Sequence, residues 1–205
     1  MSKINMRKEL KGLYGPSATG CSIVDAPPLR FLMVDGSGDP NTAPEFRHAM
    51  EALYGLSYTL KFMLKKRDKS TDYVVMPLEG LWWADDMSLF SLEAKGTWRW
   101  TMMIAQPEHV TPELFAEAAD ELARKKNPPA LAKARLDTYH EGLSAQVMHI
   151  GPYADERPTI EKIHRFIEEQ GYARRGKHHE IYLSDPSRTA PEKLRTIIRQ
   201  PISRG

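Results

Sequence analysis

The stretch LRFLMVDGSGDP, residues 29–40, decides the fold, because an apolar run of strand length passes directly into a turn rich in glycine and proline. A helix start follows: Thr42 and Glu45 have capping-box spacing, and Pro44 stands in the first turn. Apolar residues at helical spacing then predict a helix over residues 43–66. Two strands, at residues 73–83 and 97–107, are predicted to follow it.

The second half of the chain repeats this order of elements. AQVMHIGPY, residues 145–153, is again a strand followed by a turn, and an amphipathic helix is predicted over residues 158–170. Strands are predicted at residues 179–183 and 193–202. We therefore predict an α+β fold, a pseudo-two-fold repeat of two strand–helix–strand–strand units with antiparallel sheets around a central ligand groove.

The predicted domain organisation is simple. Residues 1–28 are expected to be an irregular N-terminal segment, too short for a helix-turn-helix DNA reader. Residues 29–205 are expected to form a single domain, in which half one covers residues 29–107 and half two covers residues 141–202. Connecting helices are predicted over residues 111–137, the second of them a short helix over residues 130–136.

Composition and missing motifs exclude several classes of function. A net charge of +2 gives no basic field for nucleic acid, and the single cysteine, Cys21, excludes an internal disulfide framework. The sequence contains no Walker loop, no G-x-S-x-G elbow and no H-E-x-x-H metal motif, so neither a cofactor nor a metal is expected. Without an apolar signal core or a run of the ~18 residues that a membrane span needs, the expected location is cytoplasmic.

Aromatic residues are concentrated on the two strands predicted in half one. Strand alternation places Trp98 and Trp100 on one face, and only one of the neighbouring residues Trp82 and Trp83 can join them. Such a cluster is either ordinary core packing or the wall of a site where a flat ligand stacks. Tyr58, on the first long helix, could close the edge of such a site.

An acidic residue interrupts the strand within HHEIYLSDP, residues 178–186, where β-propensity disfavours it. Glu180 and Tyr182 share one face of this strand, and Ile181 takes the other. If the aliphatic face packs under the helices, Glu180 faces the groove, where burial would raise its pKa. A carboxylate there attracts cations or serves as an acid or base, whereas the alternative is an exposed carboxylate on an edge strand.

Four stretches of this sequence resemble the GyrI-like small-molecule-binding family, and specifically its stand-alone members that lack a DNA-binding domain. They are PLEGLWW (77–83), the stretch from Glu141 to Tyr153, HHEIYLSDP (178–186) and LRTIIRQP (194–201). In related regulators a groove glutamate binds cationic lipophilic drugs, and Glu180 stands on the matching strand. Some stand-alone members resemble hydrolases that open the cyclopropane of DNA-alkylating natural products within an aromatic cage.

The resemblance implies a set of site residues and a function. Glu180 and Tyr182 are the expected catalytic groups; the expected ligand-binding residues are Trp83, Trp100, Trp98, Tyr153, Tyr58 and Met148. The expected function is to bind flat lipophilic xenobiotics, cationic or neutral, with hydrolysis of cyclopropyl compounds as a detoxifying activity. The alternatives are a non-catalytic sequestering or sensing protein and a protein partner that modulates gyrase. No direct nucleic-acid partner and no membrane contact are expected, and the sequence leaves the oligomeric state open.

Overall fold

The computed structural model describes residues 3–84 and 95–204, and within them lie five helices and nine strands. The helices are α1 (Met6–Glu9), α2 (Lys11–Tyr14), α3 (Pro44–Arg67), α4 (Pro112–Lys125) and α5 (Arg157–Glu169). The strands are β1 (Ser22–Ala26), β2 (Leu29–Ser37), β3 (Leu78–Trp83), β4 (Arg99–Gln106), β5 (Arg135–Tyr139), β6 (Gly142–Ile150), β7 (Tyr172–Arg174), β8 (His178–Tyr182) and β9 (Arg195–Arg204).

The chain forms two compact units, each built from separate stretches. The first unit comprises Met1–Met6, Leu29–Met76 and Trp82–Tyr139. Its strands include β4, β2 and β5 in that order, and β2 pairs antiparallel with both β4 and β5. Helix α3 packs against β2, β4 and α4, so the long helix predicted from the sequence forms the centre of this unit.

The second unit comprises Arg7–Pro28, Pro77–Leu81 and His140–Gly205. Its strands have the order β1-β6-β9-β8-β3, with β7 on the other edge of β9, and β9 pairs antiparallel with β6, β7 and β8. Its core is a cluster of aliphatic side chains from α5, β6 and β9. These are Ala145, Val147, Ile163, Ile167, Ile198 and Ile202, against which the partly buried Cys21 also packs.

The two units share one topology. In each, the strand before the long helix (β2 or β6) pairs antiparallel with a strand that follows that helix (β4 or β9), and a further strand (β5 or β1) pairs with its other edge. The antiparallel α+β class and the repeat of element order are therefore confirmed.

Local sequence signals set the helix ends. At the start of α4, the Thr111 hydroxyl oxygen accepts a hydrogen bond from the Leu114 backbone N–H at 3.3 Å, whereas Ala43 before α3 offers no such cap. Helix α5 is followed by Gly171 with a φ of +75°, the left-handed conformation that glycine adopts at helix ends. No described helix has the combined length and apolar character that a membrane span requires.

Three sequence predictions about elements were wrong. The segment predicted as irregular, residues 1–28, contains α1, α2 and β1, and β1 exists because it pairs along β6. In place of a short helix over residues 130–136 the chain forms a single 3-10 turn and then β5, since β2 offers a free edge for pairing. The predicted strand at residues 73–83 is regular only from Leu78.

Candidate functional site

One face of β8 carries three polar side chains that bond to one another. Glu180 Oε1 accepts a hydrogen bond from His178 Nε2 at 3.1 Å, and Glu180 Oε2 accepts one from the Tyr182 hydroxyl at 2.6 Å. The Glu180 side chain is 14% exposed. The Tyr153 ring, 40% exposed, meets the Tyr182 ring edge-on with 5.7 Å between centroids. We call these four residues the Glu180 cluster; in it a carboxylate with a small exposed fraction lies beside two aromatic rings.

The Glu180 cluster lies on the face of the sheet that helix α5 covers. Glu180 pairs directly with Ile198 of β9, and directly paired residues point to the same side of a sheet. Ile198 belongs to the aliphatic core that includes Ile163 and Ile167 of α5. The strand parity predicted from the sequence is therefore right, but the expectation that Glu180 would face away from the helices was wrong.

The pKa of Glu180 is lowered, although burial by itself raises it. The hydrogen bond and charge of His178 outweigh the cost of burial, and the Tyr182 hydroxyl and the charge of His179 add to the lowering. The expectation of a raised pKa was wrong because both carboxylate oxygens have donors, His178 and Tyr182. Glu180 is thus an ionised carboxylate at neutral pH.

The opposite face of β8 carries a buried ionic network around His179. His179 Nδ1 lies 2.9 Å from Glu141 Oε1, and His179 Nε2 lies 3.0 Å from Glu79 Oε2. Arg199 Nη1 donates to Glu141 Oε2 at 3.0 Å, and the Tyr14 hydroxyl donates to Glu79 Oε1 at 2.8 Å. All five side chains are buried.

The network fixes the protonation of its members. Burial lowers the pKa of His179, but Glu141 and Glu79 more than offset this and raise it to about 9. Burial likewise raises the pKa of Glu141, yet the charges and hydrogen bonds of His179 and Arg199 bring it down to about 2. At neutral pH the network therefore holds two carboxylates and two cations, and its net charge is zero.

The network also attaches the N-terminal segment to the second unit. Arg199 Nη2 donates to the Leu13 carbonyl at 2.6 Å, and Gln146 Nε2 donates to the Gly12 carbonyl at 2.7 Å. Sequence reasoning missed this network. The available signal was that charged residues such as Glu79 and Arg199 interrupt strands that are otherwise apolar.

Three of the four tryptophans belong to the core of the first unit. Phe46 of α3 stacks on Trp82 with centroids 5.9 Å apart and meets Trp100 edge-on at 5.4 Å. Trp98 meets Trp82 edge-on at 5.4 Å. Trp100 is fully buried, so it cannot line an open cage, and Trp82, not Trp83, joins its cluster. The core-packing interpretation is therefore the right one for Trp82, Trp98 and Trp100.

The remaining predicted ligand-binding residues have separate positions. Trp83 is half-buried on β3, and Tyr58 is 46% exposed on α3, where it stacks on Phe62. Met148 of β6 pairs with Ile197 of β9, which pairs in turn with Ile181 of β8. Met148 therefore lies on the sheet face opposite Glu180 and does not join the Glu180 cluster.

Within the described ranges, 3–84 and 95–204, no three His, Cys, Asp or Glu side chains are arranged to hold a metal ion. The Glu180 carboxylate has donors from its own strand on both oxygens. The arrangement suits binding of a cation or a water molecule beside the two tyrosine rings.

Comparison with known proteins places the chain in a family. Residues 20–203 match the GyrI-like small molecule binding domain. An uncharacterized conserved protein from Listeria innocua is 39% identical, with a TM-score of 0.91, over 98% of this chain and 100% of that one. Two structures described as hydrolases from the same organism are 38% and 39% identical, with TM-scores of 0.84 and 0.86 and the same coverage. No curated protein matches the sequence. A match over nearly the whole chain, with the repeated fold described above, shows that the protein belongs to the GyrI-like small molecule binding domain family.

Proposed function

We propose that the protein binds a flat lipophilic small molecule against Tyr153 and Tyr182 and hydrolyses it, with Glu180 as the general base. The observation that carries the proposal is a partly exposed, ionised carboxylate held beside two aromatic rings. The Listeria relatives described as hydrolases, similar over their whole length, support the same conclusion.

The proposed substrates are cyclopropanoid compounds, in which a strained cyclopropane is conjugated to a carbonyl group. A flat ring system gains about 0.5–1.5 kcal/mol from each favourable aromatic contact, and the edge-to-face pair of Tyr153 and Tyr182 offers two ring surfaces.

The chemistry of the proposed step is simple. The oxygen of a water molecule forms a bond to the cyclopropane methylene, and Glu180 accepts a proton from that water. The ring C–C bond breaks, and its electron pair moves into the conjugated system to give a phenolate or enolate oxygen. That oxygen then takes up the proton, so the product is the substrate plus one water. Because the Tyr182 hydroxyl donates to Glu180, we assign Tyr182 to holding the carboxylate in place.

A turnover assay tests this proposal. Substoichiometric protein is mixed with excess of a spirocyclopropyl dienone, and the hydrated product is followed by mass spectrometry. Glu180→Gln should still bind the neutral substrate but lose about 10²- to 10⁴-fold in turnover, the usual contribution of a general base. Glu192→Gln removes an exposed carboxylate and serves as the matched control, with turnover unchanged. Full turnover by Glu180→Gln would exclude Glu180 as the base.

The second candidate function is binding without turnover, as in a sequestering or sensing protein. The lowered pKa of Glu180 favours it, because a carboxylate that is ionised at neutral pH beside tyrosine rings attracts planar cations. Isothermal titration calorimetry with a planar aromatic cation and its neutral analogue tests this candidate. Glu180→Gln should weaken binding of the cation more than binding of the neutral analogue. An equal loss of affinity for both would show that the protein does not recognise the charge. Release of every cyclopropyl substrate unchanged would favour this function over hydrolysis.

A further inference from the structure

The strongest unassigned feature of the molecule is His179, which lies one residue before Glu180 and points to the opposite face of β8. Both of its ring nitrogens contact the oxygens of buried carboxylates, Glu141 at 2.9 Å and Glu79 at 3.0 Å. An ionised carboxylate only accepts hydrogen bonds, so both ring nitrogens must carry hydrogen. The ring is therefore an imidazolium, enclosed where it is only 1% exposed.

The network around His179 is complete without any ligand. Each of the four carboxylate oxygens of Glu79 and Glu141 has one donor, supplied by Tyr14, His179 or Arg199. The two buried carboxylates are matched by two buried cations. This pairing offsets the free-energy cost of removing the charges from water. Any change to His179 leaves a buried charge without compensation.

We propose that His179 is the positioning residue of the Glu180 site, an inference that rests on the proposed function for its catalytic meaning. Its two hydrogen bonds fix the register of β8, because a slip of one residue would exchange the faces of His179 and Glu180. Its positive charge, one residue away along the strand, also helps to keep the Glu180 carboxylate ionised. The network on one face of the sheet thus sets the state of the site on the other.

The other ionisable groups on this face of the sheet have hydrogen bonds or ring contacts with partners outside the His179 network. They are His178 and Tyr182 on β8, Tyr153 before α5, His149 on the same face of β6, and His164 of α5, whose pKa responds to the charge of His178. Since the variants below leave all of these side chains unaltered, opposite changes in the titration of Glu180 report the charge of the network.

The test measures Glu180 directly by carboxyl ¹³C NMR in protein labelled at glutamate, with the signal assigned from its absence in Glu180→Gln. His179→Gln leaves the network one negative charge in excess and should raise the pH midpoint of Glu180 by about 0.5–1 unit. Glu79→Gln leaves one positive charge in excess and should lower the same midpoint. If His179 had only a structural role, the two variants would not shift the Glu180 midpoint in opposite directions.

Tyr14→Phe is the matched control, because it removes a hydrogen bond to Glu79 but changes no charge, and the midpoint should stay in place. If His179→Gln does not fold, the downward shift in Glu79→Gln alone decides the matter. An unchanged midpoint in the charge-altering variants that fold overturns the inference. If the midpoints shift as expected but no substrate turns over, hydrolysis fails while the role of His179 in holding Glu180 ionised stands.

Discussion

At the scale of single residues, two donors from its own strand help to keep Glu180 ionised. Side chains two positions apart in a strand point to the same face, so His178 and Tyr182 stand on either side of the carboxylate and each donates to one of its oxygens. These two hydrogen bonds lower the pKa of Glu180 without any ligand. A base prepared in this way is available over the whole neutral range of pH.

Tyr182→Phe tests this arrangement. The change removes one of the two donors to Glu180 while keeping the ring that contacts Tyr153, so the pKa of Glu180 should rise. The pH at which kcat/KM falls on the acid side should therefore be higher in this variant than in the wild type. Tyr153→Phe keeps both hydrogen bonds to Glu180 and should leave this pH unchanged. A fall of kcat/KM at the wild-type pH in Tyr182→Phe would show that the hydroxyl does not help to ionise Glu180.

A second residue-scale prediction concerns Gly36, which faces Trp100 across the β2–β4 pair. A Cβ at Gly36 would stand 2.1 Å from the Trp100 ring, far inside contact distance. Gly36→Ala should therefore lower the free energy of unfolding by about 1–3 kcal/mol or more, the usual cost of overpacking. Gly20→Ala, where a Cβ meets nothing within 4 Å, is the control for urea denaturation. Equal stability of the two variants would contradict the close contact.

Sequence patterns predicted some of these residue environments and missed others. Strand parity placed Glu180 with Tyr182 and on the face opposite Ile181, because alternation is a local property. It could not identify the partner of His179, since Glu79 and Glu141 are 100 and 38 residues away in the chain. Nor could it tell whether the tryptophans face a ligand, because Phe46 covers Trp82 and Trp100 from a different element.

At the scale of elements, the two long helices of the first unit begin differently. Helix α4 has a side-chain cap from Thr111, whereas α3 follows Ala43, which has none. Thr111→Ala should cost about 1 kcal/mol of unfolding free energy, and Ala43→Ser should add up to a comparable amount. Urea denaturation measures the free energy of unfolding of both variants. If Thr111→Ala is neutral, its hydroxyl contributes nothing as a cap.

The elements that the sequence predicted are those whose signals are local. Pro44 and Pro112 in first turns, and Gly171 after α5, mark helix ends whatever the remainder of the chain does. Strands β1 and β5 were missed because each is defined by pairing with an edge, β6 or β2, that lies elsewhere in the sequence. Edge strands of this kind have little hydrophobic alternation of their own.

At the scale of the whole molecule, the buried network makes stability depend on pH. The pKa of His179 is raised from an ordinary 6.5 to about 9, so its contribution is complete below pH 6.5 and is lost as the pH rises through 9. The free energy of unfolding should fall across this window by on the order of 3 kcal/mol. Urea denaturation at pH 6.5 and pH 9 measures the change, and His179→Gln should show a much smaller slope.

The acid side of the profile has the opposite slope. Burial and the nearby charges of Arg174 and His178 lower the pKa of His164 from 6.5 to about 4, so stability falls as the pH drops between these values. Glu141, with its pKa lowered from 4.5 to about 2, adds a further loss as the pH falls through that range. The expected maximum lies near pH 6.5; greater stability at pH 9 would contradict the assignment of His179 as a buried cation.

The repeated topology was predictable from the sequence because it depends on element order and not on residue identity. VDG before α3 and IGP before α5 mark equivalent positions in the two units, although few residues are shared. The boundaries of the units were not predictable. Each unit includes a segment that is distant in sequence: residues 7–28 belong to the second unit and residues 3–6 to the first. Only the contacts of the folded chain assign these segments.

The partly buried Cys21 gives experimenters a reporter at a single position. It is the one cysteine in the sequence, it stands immediately before β1, and burial raises the pKa of its thiol. Burial and the raised pKa therefore slow its reaction with a thiol reagent, and opening of this edge of the sheet should speed it. Adding candidate ligands to the same measurement shows whether binding changes the exposure of this edge.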